Sequence, residues 1–351
     1  MTLNSMHPYR LQELVAKFAS THIVVVGDYF LDQYLVLDAN LTETSLETGL
    51  DAYQVVAIRN CPGAAGTVTS NLWAMGVRVS AVGFIGNDGN GIELERALAT
   101  TGVDTRNLLR RADCFTPTYT KPMLRTSDGV ERELNRLDIK NHQVVPAEVE
   151  DAIIARLRGI LPSAEAVIVV DQVEEENCGV ITTQVRTAIG ELATEFSQKI
   201  FMAESRAQIG AFHNVMLKPN AREVITAFRL DDEVQVQDTA RKLFHRAGRT
   251  VFLTQGELGT LVIDADGATL VPAIPVTGEI DIVGAGDSAL AGLTASLCAG
   301  ANPQEAAWIG NLAASITIQQ LGTTGTASVE QLLQAANEHF PKVSKGDALK
   351  R

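Results

Sequence analysis

Six short apolar runs rich in β-branched residues recur along the chain: 22–28 (HIVVVGD), 78–86 (RVSAVGFIG), 164–171 (AEAVIVVD), 198–204 (QKIFMAE), 213–220 (HNVMLKPN) and 249–256 (RTVFLTQG), with helical patterns between them. Continuous apolar strands separated by helices predict an α/β fold, a mostly parallel sheet covered on both faces. Several runs end in Gly, Asp or Asn, where a strand should stop. Ligands bind such sheets beyond the carboxyl ends of the strands. Asp28, Asp32, Asp171, Glu204, Asn220 and Gly256 are therefore expected on one rim.

Two segments break the pattern. Residues 34–59 and 116–138 alternate polar and apolar residues, with Ser127-Asp128-Gly129 as a hairpin turn. They predict antiparallel strands outside the main sheet, read as a small β lid over the crevice, with a peripheral edge extension as the alternative. At 351 residues, without internal repeat or low-complexity linker, the chain is expected to be a single domain (1–351) with the lid inserted in it.

A formal net charge of -13 and the absence of any basic run oppose nucleic acid or an anionic membrane as partner. Small anions remain compatible, because a local nest of N–H groups holds phosphate within an acidic protein. Cys61, Cys114, Cys178 and Cys298 match no metal or redox spacing and are expected reduced. The amino-terminal stretch does not read as a secretory signal, and residues 10–18 look like a short amphipathic helix. The longest uncharged stretch, 288–304, is too short and too interrupted for a membrane span. A cytoplasmic protein is the expectation.

The chemistry concentrates in DIVGAGDS, 281–288, a glycine-rich turn and a carboxylate directly before an alanine-rich helical pattern running to about Ala299. The amides of Gly284, Ala285 and Gly286 can close around a phosphate oxygen while the helix aims its positive end at the same point. Asp287 could then take a proton from an attacking hydroxyl, which is a phosphoryl-transfer arrangement. Two other readings fit the string. Gly284, Gly286 and Ala289 match the dinucleotide fingerprint G-x-G-x-x-A, but the turn lies in the last quarter of the chain and helices follow it. Asp287 could also be only a helix cap.

Four ordered motifs carry a resemblance over about 23–332. DIVGAGD, CPGAAGTVTSNLWAMG with AVGFIGNDGNG, KPNAREV and TQGELG together resemble the signatures of the ribokinase-like (PfkB) sugar kinase family. Within it, GDYFLDQY, NRLD and QLGTTGTAS resemble the kinase domain of the bifunctional heptose 7-phosphate kinases. The resemblance implies a ribokinase-like sheet with a β lid and transfer of phosphate from ATP to an alcohol of a sugar or sugar phosphate. It implies Asp287 as general base, with the Gly284, Ala285 and Gly286 amides as anion hole. Asn220 and Glu223 would organise Mg²⁺ and the phosphates, largely through water, and they equally suit a capping box. Thr254, Gly256 and Gly259 would form the nucleotide loop, and Asp281 matches the position that in many members helps hold a monovalent cation such as K⁺.

On the acceptor side the resemblance implies Asp32 and Gly63 against the sugar, with Arg136, Asp138 and Asp171 near it; the three also read as solvated surface. Thr67 replaces the family's usual Asn, Val283 a usual Thr, and Pro62 a usual Gly, so the identity of the sugar does not carry over. The alternatives are a nucleoside or small-alcohol kinase of the same fold, and a catalytically silent binding relative. Family members often pair through their lids, which implies a homodimer.

Overall fold

A computed structural model describes residues 6–126, 129–230, 235–322 and 324–339. Its main sheet has nine strands, in spatial order Gly267–Val271, Thr260–Asp264, Val251–Thr254, Met216–Leu217, Ile200–Ser205, Ala166–Asp171, His22–Gly27, Arg78–Gly86 and Asp104–Arg111. All pairings are parallel except those of the edge hairpin Thr260–Asp264 and Gly267–Val271. The six strands read from the apolar runs are all present. Gly267–Val271 and Asp104–Arg111, whose sequence DTRNLLRR is polar, carried no continuous apolar signal, whereas Thr260–Asp264 (TLVID) is a short apolar run that the sequence reading passed over.

His22–Gly27 and Ala166–Asp171 are buried along their whole length because both faces are covered. Ile23 and Val25 pack with Leu72, Leu290 and Ile309 on one side, whereas Val24 and Val26 pack with Leu157, Ile189 and Leu243 on the other. This division follows from the two-residue period of a strand. The chain runs outward from His22–Gly27 through Arg78–Gly86 and Asp104–Arg111, then returns on the other side at Ala166–Asp171, which sets the switch point of the sheet between those two central strands.

A second sheet holds Leu137–Ile139, Thr118–Arg125, Tyr29–Asp38 and Val55–Ala64 in that order, with Glu131–Glu133 paired to Thr118–Arg125. It differs from the expected antiparallel segments in two ways. It begins at Tyr29, so Asp32 belongs to this sheet rather than to the rim of the main one, and Tyr29–Asp38 pairs with Thr118–Arg125 in parallel. Asp28, held between the two sheets, explains the early start: its carboxylate accepts from the backbone N–H groups of Gln172, Val173 and Val180, so the chain turns out of the main sheet there. The Ser127-Asp128 part of the expected hairpin turn lies outside the described residues.

The amphipathic start is helical over Pro8–Val15, and all four cysteines are unpaired. Among the described residues no helix is long and apolar enough to cross a membrane.

Candidate active site

Helix Ala285–Cys298 starts at Gly284, whose φ of 82° and ψ of -2° are left-handed and suit a residue without Cβ. The helix packs closely against Pro303–Thr317, where a Cβ on Gly310 would lie 3.0 Å from Ala289 O and 3.4 Å from Leu293 Cβ. No side chain caps its amino end, so the first-turn amides lack a protein acceptor of that kind. Asp287 sits in the first turn, half-buried, and caps nothing. The helix-cap alternative is therefore not what this chain adopts.

The ends of three neighbouring strands bring charge to this turn. Ile200–Ser205 supplies Glu204, and Met216–Leu217 leads directly into Lys218; their side chains meet at 2.8 Å, with Lys218 only 1 % exposed. A Cβ placed on Gly286 would lie 3.7 Å from Lys218 Nζ, so the ammonium is set behind the glycine turn. Burial pushes the Asp287 carboxyl well above the usual range, and the Glu204 charge adds to the effect, against the pull of Lys218 and Arg206. Glu223 is raised for the same two reasons. Burial by itself would lower Lys218, but Glu204 and Glu223 outweigh it and raise its affinity for the proton. Three carboxylates thus surround one buried ammonium, a place that favours a cation or a ligand bringing one.

Asn220 caps helix Ala221–Phe228 through a full capping box: the Glu223 amide donates to Asn220 Oδ1 at 2.9 Å, and Asn220 N donates to Glu223 Oε2 at 2.8 Å. Asn220 Nδ2 also donates to Glu223 Oε1 at 2.9 Å. Each Glu223 oxygen keeps a free lone pair, so the box leaves hard oxygen donors for a hydrated Mg²⁺. Among the described residues no three His, Cys, Asp or Glu side chains are arranged to hold a metal ion directly. Asn220 and Thr254 form an isolated parallel bridge, and the turn from Gly256 to Gly259 follows at once, both glycines with positive φ. Asp281 accepts from the amides of Val283 and Gly322 at 3.0 and 3.3 Å, which ties the approach to the turn to the segment after Pro303–Thr317.

Across the turn, Thr67 is buried at the start of helix Ala65–Ala74 and donates to Pro62 O at 3.3 Å; its methyl lies 3.7 Å from where a Gly284 Cβ would be. A Cβ on Gly63 would lie 2.9 Å from Asp32 Oδ2, so the glycine is needed for the carboxylate to lie over the backbone. Lys121, on the neighbouring strand, reaches Asp32 Oδ1 at 3.5 Å. Arg136 and Asp138 pair with each other at 2.6 Å at the outer edge of the second sheet, Arg136 stacking over the Tyr119 ring at 4.2 Å. Asp171 is not part of the constellation: it is 3 % exposed, accepts from Ser205 Oγ at 2.7 Å and faces Arg186 at 3.7 Å, a buried knot under the rim. Beside this knot a recess opens, lined by Phe30, Tyr119, Lys140, Gln172 and Arg206 among others.

The structure thus brings together Gly284 to Asp287, Asn220, Glu223, Thr67, Asp32 and Gly63, and leaves Asp171 aside. Sequence reasoning missed Lys218, Lys121 and Arg206. Lys218 was signalled by a charge ending an apolar strand directly before the Asn220 and Glu223 motif, whereas Lys121 and Arg206 resembled ordinary surface cations.

The model of the pfkB family of carbohydrate kinases matches residues 21–330. The chain belongs to that family. As a pfkB kinase it is a phosphotransferase acting on carbohydrate. It is 28 % identical over 352 residues to the bifunctional protein HldE of Citrifermentans bemidjiense, covering 98 % of this chain and 70 % of the relative. It is 30 % identical over 331 residues to HldE of Azorhizobium caulinodans, covering 93 % and 66 %. The chain spans about two thirds of the length of these curated relatives. In fold this pfkB kinase is similar to phosphofructokinase-2 from Escherichia coli in complex with potassium, with a TM-score of 0.69, 16 % identity and coverage of 91 % and 99 %. It is also similar to Arabidopsis thaliana ribokinase complexed with ribose and ATP, with a TM-score of 0.65, 17 % identity and coverage of 90 % and 98 %. These neighbours match the α/β layout with its central, mostly parallel sheet.

Proposed function

We propose that this kinase transfers the γ-phosphoryl group of ATP to a hydroxyl of a sugar or sugar phosphate across the Gly284 to Asp287 turn. The observation that carries the reading is the uncapped helix end with Asp287 in its first turn and Lys218 behind Gly286. The acceptor O–H loses its proton to Asp287 as its oxygen bonds the γ-phosphorus, and the bond to the bridging oxygen of ADP breaks. The turn amides and the helix end stabilise the charge on the equatorial oxygens, the kind of preorganised donor worth ~10²- to 10³-fold in rate. A raised carboxyl affinity suits a base that works near neutrality, and Lys218 and Arg206 help keep it ionised.

ATP is assigned to the side of Asn220, Thr254, Gly256 and Gly259, and the acceptor to Asp32, Gly63 and Thr67. Glu223 and Asn220 would hold Mg²⁺, through water, and the ion would supply positive charge to the phosphates and to the carboxylate cluster. Asp281 is assigned a monovalent cation. The second sheet acts as the lid that excludes water, with Arg136 and Asp138 at its edge; Asp171 supports the rim without touching the acceptor. The similarity to HldE and the cations Arg206 and Lys140 at the recess favour an acceptor that carries a phosphate of its own. Val55, Val56 and Ile58 stand exposed on the second sheet, which supports pairing with a second copy there, testable by light scattering of Val56→Asp.

The test is ADP release with Mg-ATP against pentoses, hexoses, heptoses, their phosphates and nucleosides, with Asp287→Asn as control. A signal dependent on a sugar or sugar phosphate and lost in the variant supports the reading. A signal with nucleosides alone would overturn the acceptor class, and an unchanged signal in Asp287→Asn the mechanism.

A further inference from the structure

Lys121 has no role in the reading given so far, yet it is the closest charged group to the carboxylate assigned to the acceptor. It projects from Thr118–Arg125, the strand parallel to Tyr29–Asp38, where it pairs with Tyr34 two register steps along from the pair Asp32 and Tyr119. Its Nζ lies 3.5 Å from Asp32 Oδ1 and 3.2 Å from the Tyr34 hydroxyl, to which it donates, and stands 4.7 Å from the centre of the Tyr34 ring. The side chains of Lys121 and Asp32 are only 12 % and 10 % exposed. On its other side Asp32 is pressed against the Gly63 backbone. Few positions remain for that carboxylate, and the ammonium selects among them.

We propose that Lys121 is a positioning residue for acceptor binding, fixing the charge and direction of Asp32 so that its free oxygen faces the acceptor. The proposal rests on the reading that Asp32 touches the acceptor. Lys121 is itself spoken for: its charge is paired with Asp32, it donates to the Tyr34 oxygen, and the Tyr34 ring covers one face. It therefore acts through Asp32. A carboxylate engaged on one oxygen by an ammonium still has lone pairs for two neighbouring hydroxyls.

The groups around Asp32 fix the sign of the pH effect. Burial raises the Asp32 carboxyl; Lys121 is the largest force lowering it, Arg136 lowers it less, and Glu133 raises it. The Asp32 charge is also felt by Cys61 on Val55–Ala64, by Tyr34 and by Asp287. Removing Lys121 leaves burial and the neighbouring acids unopposed except by Arg136. Asp32 then protonates at higher pH, and acceptor affinity is lost at higher pH as the solution is acidified.

The experiment compares Lys121→Met, Lys121→Arg and Asp32→Asn with the unaltered chain, using a heptose 7-phosphate and fructose 6-phosphate as acceptors and Mg-ATP as donor, from pH 5 to 9. Thermal melting of each variant establishes that it is folded. Asp32→Asn is expected to raise KM for the acceptor. Lys121→Met is expected to raise it roughly tenfold or more at neutral pH with kcat within about threefold, the loss of one charge-assisted contact. It should also move the acid limb of kcat/KM to higher pH, with Lys121→Arg restoring most of both. If Asp32→Asn raises KM while Lys121→Met moves neither KM nor the acid limb, the proposal is overturned and the reading of Asp32 stands. If Asp32→Asn leaves KM unchanged for both acceptors, the reading of Asp32 falls and the proposal with it. A fall in kcat alone in Lys121→Met would likewise overturn positioning of the acceptor.

Discussion

Lys218 Nζ lies 2.8 Å from Glu204 Oε2 at the end of two adjacent strands, with Glu223 and Asp287 close enough to raise its proton affinity. A buried ion pair is weak evidence for stability, because desolvating two charges offsets most of their attraction. Its position behind Gly286 gives it a different meaning: it balances carboxylates that the chemistry requires. Lys218→Met should leave Glu204, Glu223 and Asp287 without a buried counter-charge. Removing one partner of such a pair costs about 3–5 kcal/mol when the other stays charged. The variant is therefore expected to melt well below the unaltered chain at pH 8, and by a smaller margin at pH 6, where Glu223 and Asp287 take up protons instead. The acid limb of its kcat profile should move to higher pH. A melting deficit independent of pH would show that lost packing, not charge, is the cause.

Asp287→Asn preserves shape and removes the proton acceptor. It should reduce kcat by ~10²-fold or more with ATP affinity almost unchanged, read by single-turnover kinetics and by calorimetric titration of ATP. Loss of ATP binding in parallel with rate would assign Asp287 to the nucleotide instead.

Glu223→Gln keeps most of the capping box, because the amide still accepts from the Asn220 backbone, but it removes a negative charge. The Mg²⁺ concentration for half-maximal rate should rise severalfold while the melting temperature changes little. An unmoved magnesium titration with a large drop in melting temperature would reduce Glu223 to a helix cap.

Asp171 provides a pH test that leaves the chemistry alone. Burial first, and then the nearby Asp28 charge, raise its carboxyl to about 7 against the help of Ser205 and Arg186. The folded state therefore holds this proton more tightly than the unfolded state, whose value is near 4. Between pH 4 and 7 the folded state binds more protons, so this group's contribution to stability falls as pH rises through that window. Asp171→Asn should remove the trend: its stability relative to the unaltered chain is expected to improve steadily from pH 4.5 to 7.5 in urea titrations. A difference independent of pH would mean that Asp171 is ionised throughout.

The legible parts of this molecule were those with a local physical signature. Continuous β-branched runs betrayed the central strands, since a strand covered on both faces has no polar side to interrupt it. DIVGAGDS betrayed the helix end, because a left-handed Gly284 followed by small residues has few other uses. What escaped depends on partners far apart in sequence. Asp32 belongs to the second sheet because Asp28 is gripped by amides at 172, 173 and 180, and no local pattern announces that grip. Lys121 reads as an ordinary lysine until Tyr29–Asp38 is laid beside it. Asp171 ends a strand as a ligand-binding acid would, yet Ser205 and Arg186 occupy it.

Ala64 holds a further consequence of the same junction. It has φ 52° and ψ -118°, a region that side chains with a Cβ avoid, and it joins Gly63 under Asp32 to the helix Ala65–Ala74. Its strain is sustained by neighbours on both sides: Tyr29 pairs with Ala64 across the second sheet, and the Ala65 amide donates to Asp28 O at 3.0 Å. Ala64→Gly should relieve on the order of 1–3 kcal/mol of strain and give back somewhat less than 1 kcal/mol through a looser unfolded chain. A net rise in stability of about 1 kcal/mol is expected by urea titration, with the KM for the acceptor held or slightly raised, because Gly63 loses part of the constraint that keeps it beneath Asp32. Ala64→Val should go the other way by at least as much, since a β-branched side chain tolerates positive φ least. If glycine destabilises and valine is neutral, the junction is relaxed and the position of Gly63 is set by the strands alone.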